Sequence, residues 1–396
     1  MNNRVAIEEP VVVNPNRTQL QTLYEHFRKR KLTWIICFII SFVVVIIVIP
    51  TIIFTVNKTK REKTSTMHIT TEITTTTTAE ITAAGEQLLP SVIINSNTKW
   101  KQNGSTVAGG HGLGNGLNQL DHPLGIYVDD YNHNLYIADS ENQRIVRWKF
   151  GANNGEIVAG GNGPGDALNQ LRSPTDVILD KEKKYIIVCD RGNSRIMRWS
   201  RGNNQYGQIL VISIGCFGLA MDNNGDLYIS ETYKHQIRRW REGDKEGTVV
   251  AGGSGQGNQL NQFNEPQYIF VDDYHSVYVA DSMNRRVMKW MKNATEDLLV
   301  APVQVSDKNL NSRRYTPVGI LVDHIGNIYV SDAQGLQITR WSPDTEKGTV
   351  IVNDGEWGNR PPQLMYPQDL SFDRECNLYV VDWFNHRIQK FAIDLD

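Results

Sequence analysis

The carboxyl-terminal three quarters of this 396-residue chain repeat one sequence motif six times. Two of the copies are PLGIYVDDYNHNLYIADSENQRIVRW and PTDVILDKEKKYIIVCDRGNSRIMRW, and every copy ends in an aromatic residue. These aromatic residues lie 41 to 51 positions apart: Trp148, Trp199, Trp240, Trp290, Trp341 and Phe391. A period of this length indicates a repeat array, because each unit needs a neighbour against which to bury its apolar side chains.

Each repeat predicts four short antiparallel strands. The first strand ends at an acid before a turn rich in Asn, Asp and Gly: Asp129, Asp180, Asp222, Asp272, Asp323 and Asp373. The second strand also ends at an acid: Asp139, Asp190, Glu231, Asp281, Asp332 and Asp382. The third ends at the aromatic residue, and a fourth of the GEIVAGG type follows. Four such strands make one blade, so the sequence predicts an all-β fold, a six-bladed β-propeller over 97–396.

The two ends of the repeat region predict how the ring closes. The sixth repeat stops before any fourth strand, whereas the segment 97–110 contains a fourth strand with no first three. We expect the fourth strands at 104–108, 155–159, 207–213, 247–251, 296–301 and 348–352. If the first of these joins the last blade, an N-terminal strand closes the propeller and leaves no exposed sheet edge there.

The repeats resemble the NHL repeat. Its pattern, P-x-G-[IV]-x-V-D followed by N-x-Y-[IV]-A-D-x-x-N-x-R-[IV], is matched in four repeats and more loosely in the third and fifth. The four are Pro123–Trp148, Pro174–Trp199, Pro266–Trp290 and Pro367–Phe391. The VAGGxGxGxxxNQLxxP connectors are similar to those of NHL-repeat proteins from small invertebrates and protists. The resemblance implies a six-bladed propeller but no single activity, because this scaffold serves unrelated functions.

An apolar segment near the N-terminus predicts a membrane anchor. Residues 32–56 contain no charged side chain, and as a helix they span about 37 Å, enough to cross a bilayer. A cleaved signal peptide has an apolar region of only about 7–15 residues, so we expect an uncleaved signal anchor. Residues 1–31 are then a short cytoplasmic tail, and the Thr-rich residues 57–96 are a stalk or linker of the kind that carries O-glycans.

The orientation of this anchor is not decided by its flanking charges, because basic residues lie on both sides. Asn103 and Asn293 begin N-glycosylation sequons. Together with the Thr-rich stalk they favour a single-pass type II protein with an extracellular or lumenal propeller, at the plasma membrane or in the secretory pathway. The four cysteines predict no disulfide framework, and the pairing of Cys189, Cys216 and Cys376 stays open.

An enzymatic centre in the propeller channel is an alternative function. The similar propeller of the peptide-amidating lyase draws zinc-binding histidines from the position after the blade-opening proline. The equivalent residues here include no histidine: Leu124, Thr175, Phe217, Gln267, Val318 and Gln368. Lactonase-like propellers gather acids and Asn around a channel calcium, and Asp176 and Asp369 are the candidates to reach the channel. We expect no cofactor, although zinc and calcium stay open, as does a hydrolase or lyase.

The charge balance argues against nucleic acid as a partner, since the chain has a net charge of −2 and phosphate binding needs clustered cations. The repeated acids and the arginines that follow them recur in most blades, so we interpret them as structural. The residues just after each second acid vary instead, as a recognition surface would. The binding-face candidates are Trp383, Phe384, Tyr233, Met283 and Arg191. They predict a protein or glycan ligand, unless neighbouring connectors cover them.

Overall fold

The propeller is present as a closed ring of six four-stranded antiparallel sheets in a computed structural model. The structure describes residues 94–95, 97–294, 298–301, 315–343, 345, 347–353 and 355–395. The predicted tail, membrane anchor and nearly all of the stalk lie outside these residues. Within the described ranges, no helix has the length and apolar character needed to cross a bilayer.

The first three blades each use four consecutive strands, from the channel outward. Blade 1 contains β3 (Pro123–Asp129), β4 (Asn134–Asp139), β5 (Arg144–Lys149) and β6 (Glu156–Gly160). Blade 2 contains β7 (Pro174–Leu179), β8 (Tyr185–Asp190), β9 (Arg195–Ser200) and β10 (Asn203–Ile212). Blade 3 contains β11 (Cys216–Met221), β12 (Leu227–Glu231), β13 (Gln236–Trp240) and β14 (Thr248–Gly252).

Blades 4 and 5 repeat this order, whereas blade 6 takes its outer strand from the N-terminal side. Blade 4 contains β15 (Pro266–Val271), β16 (Val277–Asp281), β17 (Arg286–Trp290) and β18 (Leu298–Ala301). Blade 5 contains β19 (Pro317–Val322), β20 (Ile328–Asp332), β21 (Gln337–Trp341) and β22 (Thr349–Val352). Blade 6 contains β23 (Pro367–Phe372), β24 (Leu378–Asp382), β25 (Arg387–Phe391) and β2 (Ser105–Gly109).

Ring closure by the N-terminal segment is confirmed, and it uses two strand pairs. β2 pairs with β25 in the register that sets Ser105 opposite Lys390. A second pair, β1 (Lys99–Trp100) with β26 (Ile393–Asp394), was not expected from the sequence. Trp100 stacks on Phe372 at 5.9 Å between ring centroids, and its indole N–H donates to the Cys376 carbonyl oxygen at 2.9 Å. The closing segment is therefore part of the core.

The hydrophobic core is divided into six clusters, and each lies between two adjacent blades. The cluster between blades 1 and 2, for example, joins Tyr136 and Ile145 to Val177 and Val188. The aromatic residues that end the third strands belong to these clusters, and Trp148, Trp199, Trp341 and Phe391 are fully buried. These aromatic side chains fill the space between adjacent blades. Among the described residues, every core cluster is shared by neighbouring blades.

The repeated acids and arginines form buried clasps. In blade 1, Arg144 donates through Nε to Asp139 at 2.6 Å and through its other nitrogens to the carbonyl oxygens of Asn115, Gly116 and Gln119. The same acid–arginine pair recurs in blades 2, 4 and 6: Asp190 with Arg195, Asp281 with Arg286, and Asp382 with Arg387. Each clasp fixes the connector that enters its own blade, a structural role in which one guanidinium bonds both the acid and the connector carbonyl oxygens.

A disulfide joins blades 2 and 3, between Cys189 in β8 and Cys216 in β11. Both cysteines are buried, and so is the thiol of Cys376, whose pKa is raised to about 11 by burial. The sequence had left these three cysteines unassigned, because a pairing 27 residues apart carries no local signal.

Candidate functional site

The candidate recognition surface lies on the upper face, defined as the end of the ring where the inner strands begin. The turns between second and third strands lie on this face. The first turn residue is generally covered by the next blade: Thr232 Oγ1 donates to the Pro266 carbonyl at 3.0 Å, and Ser282 Oγ to that of Pro317 at 2.6 Å. The second turn residue protrudes in Tyr233, which is 69% exposed, and in Met283, which is 58% exposed.

Arg191 and Tyr233, two of the sequence candidates, are brought together at the boundary of blades 2 and 3. The Arg191 guanidinium donates to the Tyr233 hydroxyl at 2.9 Å and lies over its ring at 5.3 Å. It also lies over the Phe217 ring at 5.0 Å, so its charge is held against two aromatic faces. Met283 belongs to the blade 4 turn (Ser282–Asn284), and no described contact joins it to this pair.

Trp383 and Phe384 belong to a larger cluster at the boundary of blades 6 and 1, here called the aromatic patch. The patch consists of His122, Tyr366, Trp383, Phe384 and His386. The rings of Trp383 and Phe384 are 4.4 Å apart, and Tyr366 lies 5.3 Å from Phe384. His122 reaches the Trp383 ring at 5.0 Å. Trp383 is half-buried and Phe384 is 39% exposed, so the patch is anchored yet accessible.

Sequence reasoning missed three members of the aromatic patch. His122 and Tyr366 each precede a blade-opening proline and have a positive φ, 48° and 55°. His386 ends the blade 6 turn, also with a positive φ of 50°. The sequence did mark these positions, because the residue before the blade-opening proline and the last turn residue recur in every repeat. Which of these residues meet in space depends on the closure of the ring.

Asp121, His122 and His386 offer a possible metal centre, since their ligating atoms lie within 4.8 Å of one another. His122 Nδ1 is 2.6 Å from Asp121, and the His122 backbone N–H donates to His386 Nδ1 at 3.2 Å. The equivalent acceptors at two other blade boundaries are Gln143 and His235. The His386 contact is therefore a recurring interblade hydrogen bond. Burial, together with the neighbouring His122, lowers the pKa of His386.

The channel contains a layer in which glycine alternates with a large residue. Its members are the third residues of the six inner strands: Gly125, Asp176, Gly218, Tyr268, Gly319 and Asp369. A Cβ atom at Gly125 would lie 2.5 Å from Asp176 Oδ1, and one at Gly319 would lie 2.3 Å from the Gln368 carbonyl oxygen. Glycine is required there because the next blade occupies that space, and three large side chains fill the layer.

The two channel acids predicted from the sequence, Asp176 and Asp369, are both buried in this layer. Asp176 accepts the backbone N–H groups of Val177 and Leu219, each at 2.7 Å. Asp369 accepts those of Leu370 at 2.8 Å and Ile126 at 2.9 Å. Burial raises the pKa of Asp369 to about 7. Burial, followed by the charge of Asp369, raises the pKa of Asp176 well above its ordinary value.

Tyr268 is the third large residue of the layer, and sequence reasoning missed it. Its hydroxyl donates across the channel to the Thr175 carbonyl oxygen at 3.1 Å, and its ring meets Phe217 edge-on at 5.2 Å. Burial raises its pKa, and the two channel acids raise it further. The alternation with glycine was the signal that could have identified it.

The two sequon asparagines, Asn103 and Asn293, are exposed. Asn103 lies between β1 and β2, and Asn293 follows β17 with a positive φ of 63°. Both side chains are therefore accessible on the outside of the propeller.

The chain is similar to solved propeller structures, although no protein-family model matches it. A Bacteroides thetaiotaomicron protein of unknown function is 17% identical, with a TM-score of 0.58 over 75% of this chain and 77% of that one. An auxiliary nutrient binding protein of the same organism is 15% identical, with a TM-score of 0.57 over 74% and 77%. A Xanthomonas campestris gluconolactonase is 11% identical, with a TM-score of 0.52 over 70% and 87%. At these identities the likeness shows the six-bladed propeller fold alone.

Proposed function

We propose that this protein is a recognition module whose upper face binds a protein or a glycan. The aromatic patch carries the proposal, because it places two half-accessible aromatic rings beside the hydrogen-bonded His122 and Asp121. Aromatic side chains with a polar neighbour are enriched at the energetic centres of interfaces. Tyr233 with Arg191 offers a second contact of the same type on the same face.

We also propose that the propeller is of the NHL type and is tethered to a membrane by residues 32–56, on the outer or lumenal side. The repeat pattern supports the first part. The disulfide between Cys189 and Cys216 supports the second, since disulfides persist in oxidising compartments. Exposure of Asn103 and Asn293 agrees with glycosylation at both sites.

The recognition proposal is tested with the full-length protein in lipid nanodiscs, applied to arrays of purified extracellular proteins and of glycans. Trp383→Ala and Phe384→Ala should each weaken the leading interaction at least tenfold, because each removes a ring from the patch. The matched control is Tyr274→Ala, which removes an 82% exposed aromatic residue from the opposite end of the ring. Equal binding by all four proteins would refute the role of the patch.

The alternative function is a hydrolase or lyase with a channel-centred site, lactonase-like or amidating-lyase-like. The gluconolactonase likeness is compatible with it but extends only to the fold. Both oxygens of Asp176 and of Asp369 already accept backbone N–H groups, which argues against a catalytic role of these acids. Metal analysis of the purified protein discriminates, because one tightly bound zinc or calcium per chain would favour the enzyme.

A further inference from the structure

The channel holds a cavity of about 300 Å³ below the Asp176–Tyr268–Asp369 layer. Its lining begins at the third residue of the inner strands and continues to their lower ends, including Lys181 and Lys183 in the turn after β7. Above the layer, the second residues of the inner strands are buried at Thr175, Phe217 and Val318 and partly exposed at Leu124, Gln267 and Gln368. The cavity therefore lies on the lower side of the layer and reaches the lower face of the ring at the exposed Lys181.

The walls and the floor of this cavity differ in chemistry. Ile178, Phe270 and Leu321 contribute apolar walls, whereas the carboxyl groups of Asp176 and Asp369 belong to the floor. An apolar pocket with a few convergent polar groups is the usual form of a small-molecule site, and this volume lies at the lower end of the common range.

The two floor carboxylates lack a cationic partner. Each oxygen of both groups accepts one backbone N–H, but burial raises the pKa of both carboxyls, so their charged forms need a further stabilising group. In the part of the chain that the structure describes, no lysine or arginine forms an ion pair with Asp176 or Asp369. A cationic group bound in the cavity would supply the partner that these two acids lack among the described residues, and it would stabilise their charged forms.

The shape of the cavity indicates what kind of cation fits. Calcium takes six to eight oxygen ligands and magnesium six, whereas zinc takes four ligands that usually include His or Cys. Here the four carboxylate oxygens of the floor already accept backbone N–H groups, and the other two acids that line the cavity, Asp180 and Asp222, follow the lower ends of their strands. Between the two levels lie apolar side chains such as Ala220 and Phe270. An organic cation with an apolar body satisfies both surfaces at once, and the Phe270 and Tyr268 rings are additional partners for a positive nitrogen.

We propose that the lower channel cavity binds a small organic ammonium compound, with its protonated nitrogen at Asp176 and Asp369 and its apolar body against Ile178, Phe270 and Leu321. This site faces away from the aromatic patch, so the proposal does not rest on the recognition function. It assigns the channel acids a ligand-binding role in place of a catalytic one.

Equilibrium dialysis of the full-length protein in lipid nanodiscs tests this proposal, with empty nanodiscs as the blank. The probes are phenethylammonium, the neutral 2-phenylethanol and the anionic 3-phenylpropanoate, which share one apolar body. We expect the ammonium to bind at least tenfold more tightly than the alcohol, and the anion not to bind. Asp176→Asn and Asp369→Asn should each weaken ammonium binding at least tenfold and leave alcohol binding within twofold. The control Tyr206→Ala alters an exposed residue of β10 and should change neither.

A further variant keeps the test decisive if the asparagine variants do not fold. Ser371→Phe fills the cavity from its wall and should abolish binding of both the ammonium and the alcohol, with the folded state checked by the melting temperature. Equal affinity for ammonium and alcohol, or ammonium binding that survives Ser371→Phe, would overturn the proposal. Stoichiometric calcium binding without ammonium binding would overturn it as well.

Discussion

At the scale of single residues, the pKa of Asp369 shows how burial and hydrogen bonding oppose each other in the channel. Two backbone N–H groups favour its charged form, but burial opposes that form and prevails, so its pKa rises to about 7. The unfolded chain should titrate this carboxyl near the ordinary value of 3.8. The protein therefore holds this proton more tightly when it is folded.

Asp369→Asn should flatten part of the pH dependence of stability. Because the folded pKa is raised, the stabilising contribution is full below about pH 4 and is lost as the pH rises to 7. The free energy of unfolding of the wild type, relative to the variant, should then fall by on the order of 3 kcal/mol over this interval. Urea titrations at several pH values measure it. The control is Asp166→Asn, which changes an exposed acid in a connector and should leave the pH dependence of the unfolding free energy as in the wild type. If the unfolding free energies of Asp369→Asn and of the wild type ran parallel with pH, the raised pKa of Asp369 would be contradicted.

Residues of the candidate sites were predictable only where a local pattern marked them. Asp176 and Asp369 are acids at the third position of an inner strand, whereas Tyr268 at the same position was missed. Trp383 and Phe384 are aromatic residues in a turn that is mostly polar in the other blades. His122 was not predictable as their neighbour, because its contact with His386 joins positions 264 residues apart. Such a contact depends on closure of the ring, which the repeat pattern implies without showing which side chains meet.

At the scale of elements, the repeats made the strands predictable. The fourth strands start within one or two residues of the expected positions, apart from β10, which begins four residues earlier. Six copies of one pattern locate a turn better than one copy does, because the turn residues recur at a fixed offset. The pairing of β1 with β26 was not predicted from the sequence, because a two-residue strand has no periodicity in its side chains. Ile94, assigned to the stalk, is buried in the cluster between blades 5 and 6.

Deleting residues 97–110 should lower the melting temperature sharply, because the deletion removes β1 and β2 and leaves β25 as an exposed edge. Trp100→Ala isolates the core contribution and should cost about 3–5 kcal/mol, as other buried Trp truncations do. Differential scanning calorimetry measures both effects. Ile212→Ala, at a 69% exposed position of β10, is the control. An unchanged melting temperature for the deletion would show that the ring does not depend on this segment.

At the scale of the whole molecule, the contacts that stabilise the ring and the two proposed binding sites lie in different parts of it. The six interblade clusters and the disulfide between blades 2 and 3 hold the ring closed. The upper face carries the variable aromatic residues, and the lower face opens into the acid-floored cavity. The two proposed sites therefore lie on opposite ends of the propeller. The proposed membrane anchor would determine the compartment in which both act.

That compartment is testable through four sequons on the two sides of the apolar segment. If the propeller is extracellular or lumenal, endoglycosidase should increase the mobility of the protein expressed in animal cells, and Asn103→Gln and Asn293→Gln should each remove one glycan. Asn57 begins a third sequon too close to the predicted anchor for efficient modification, and Asn162→Gln, at an exposed position without a sequon, is the control. The fourth sequon, Asn16-Arg-Thr, lies in the predicted cytoplasmic tail. Modification of Asn16 with unmodified Asn103 and Asn293 would reverse the orientation, because glycosylation occurs only on the lumenal side.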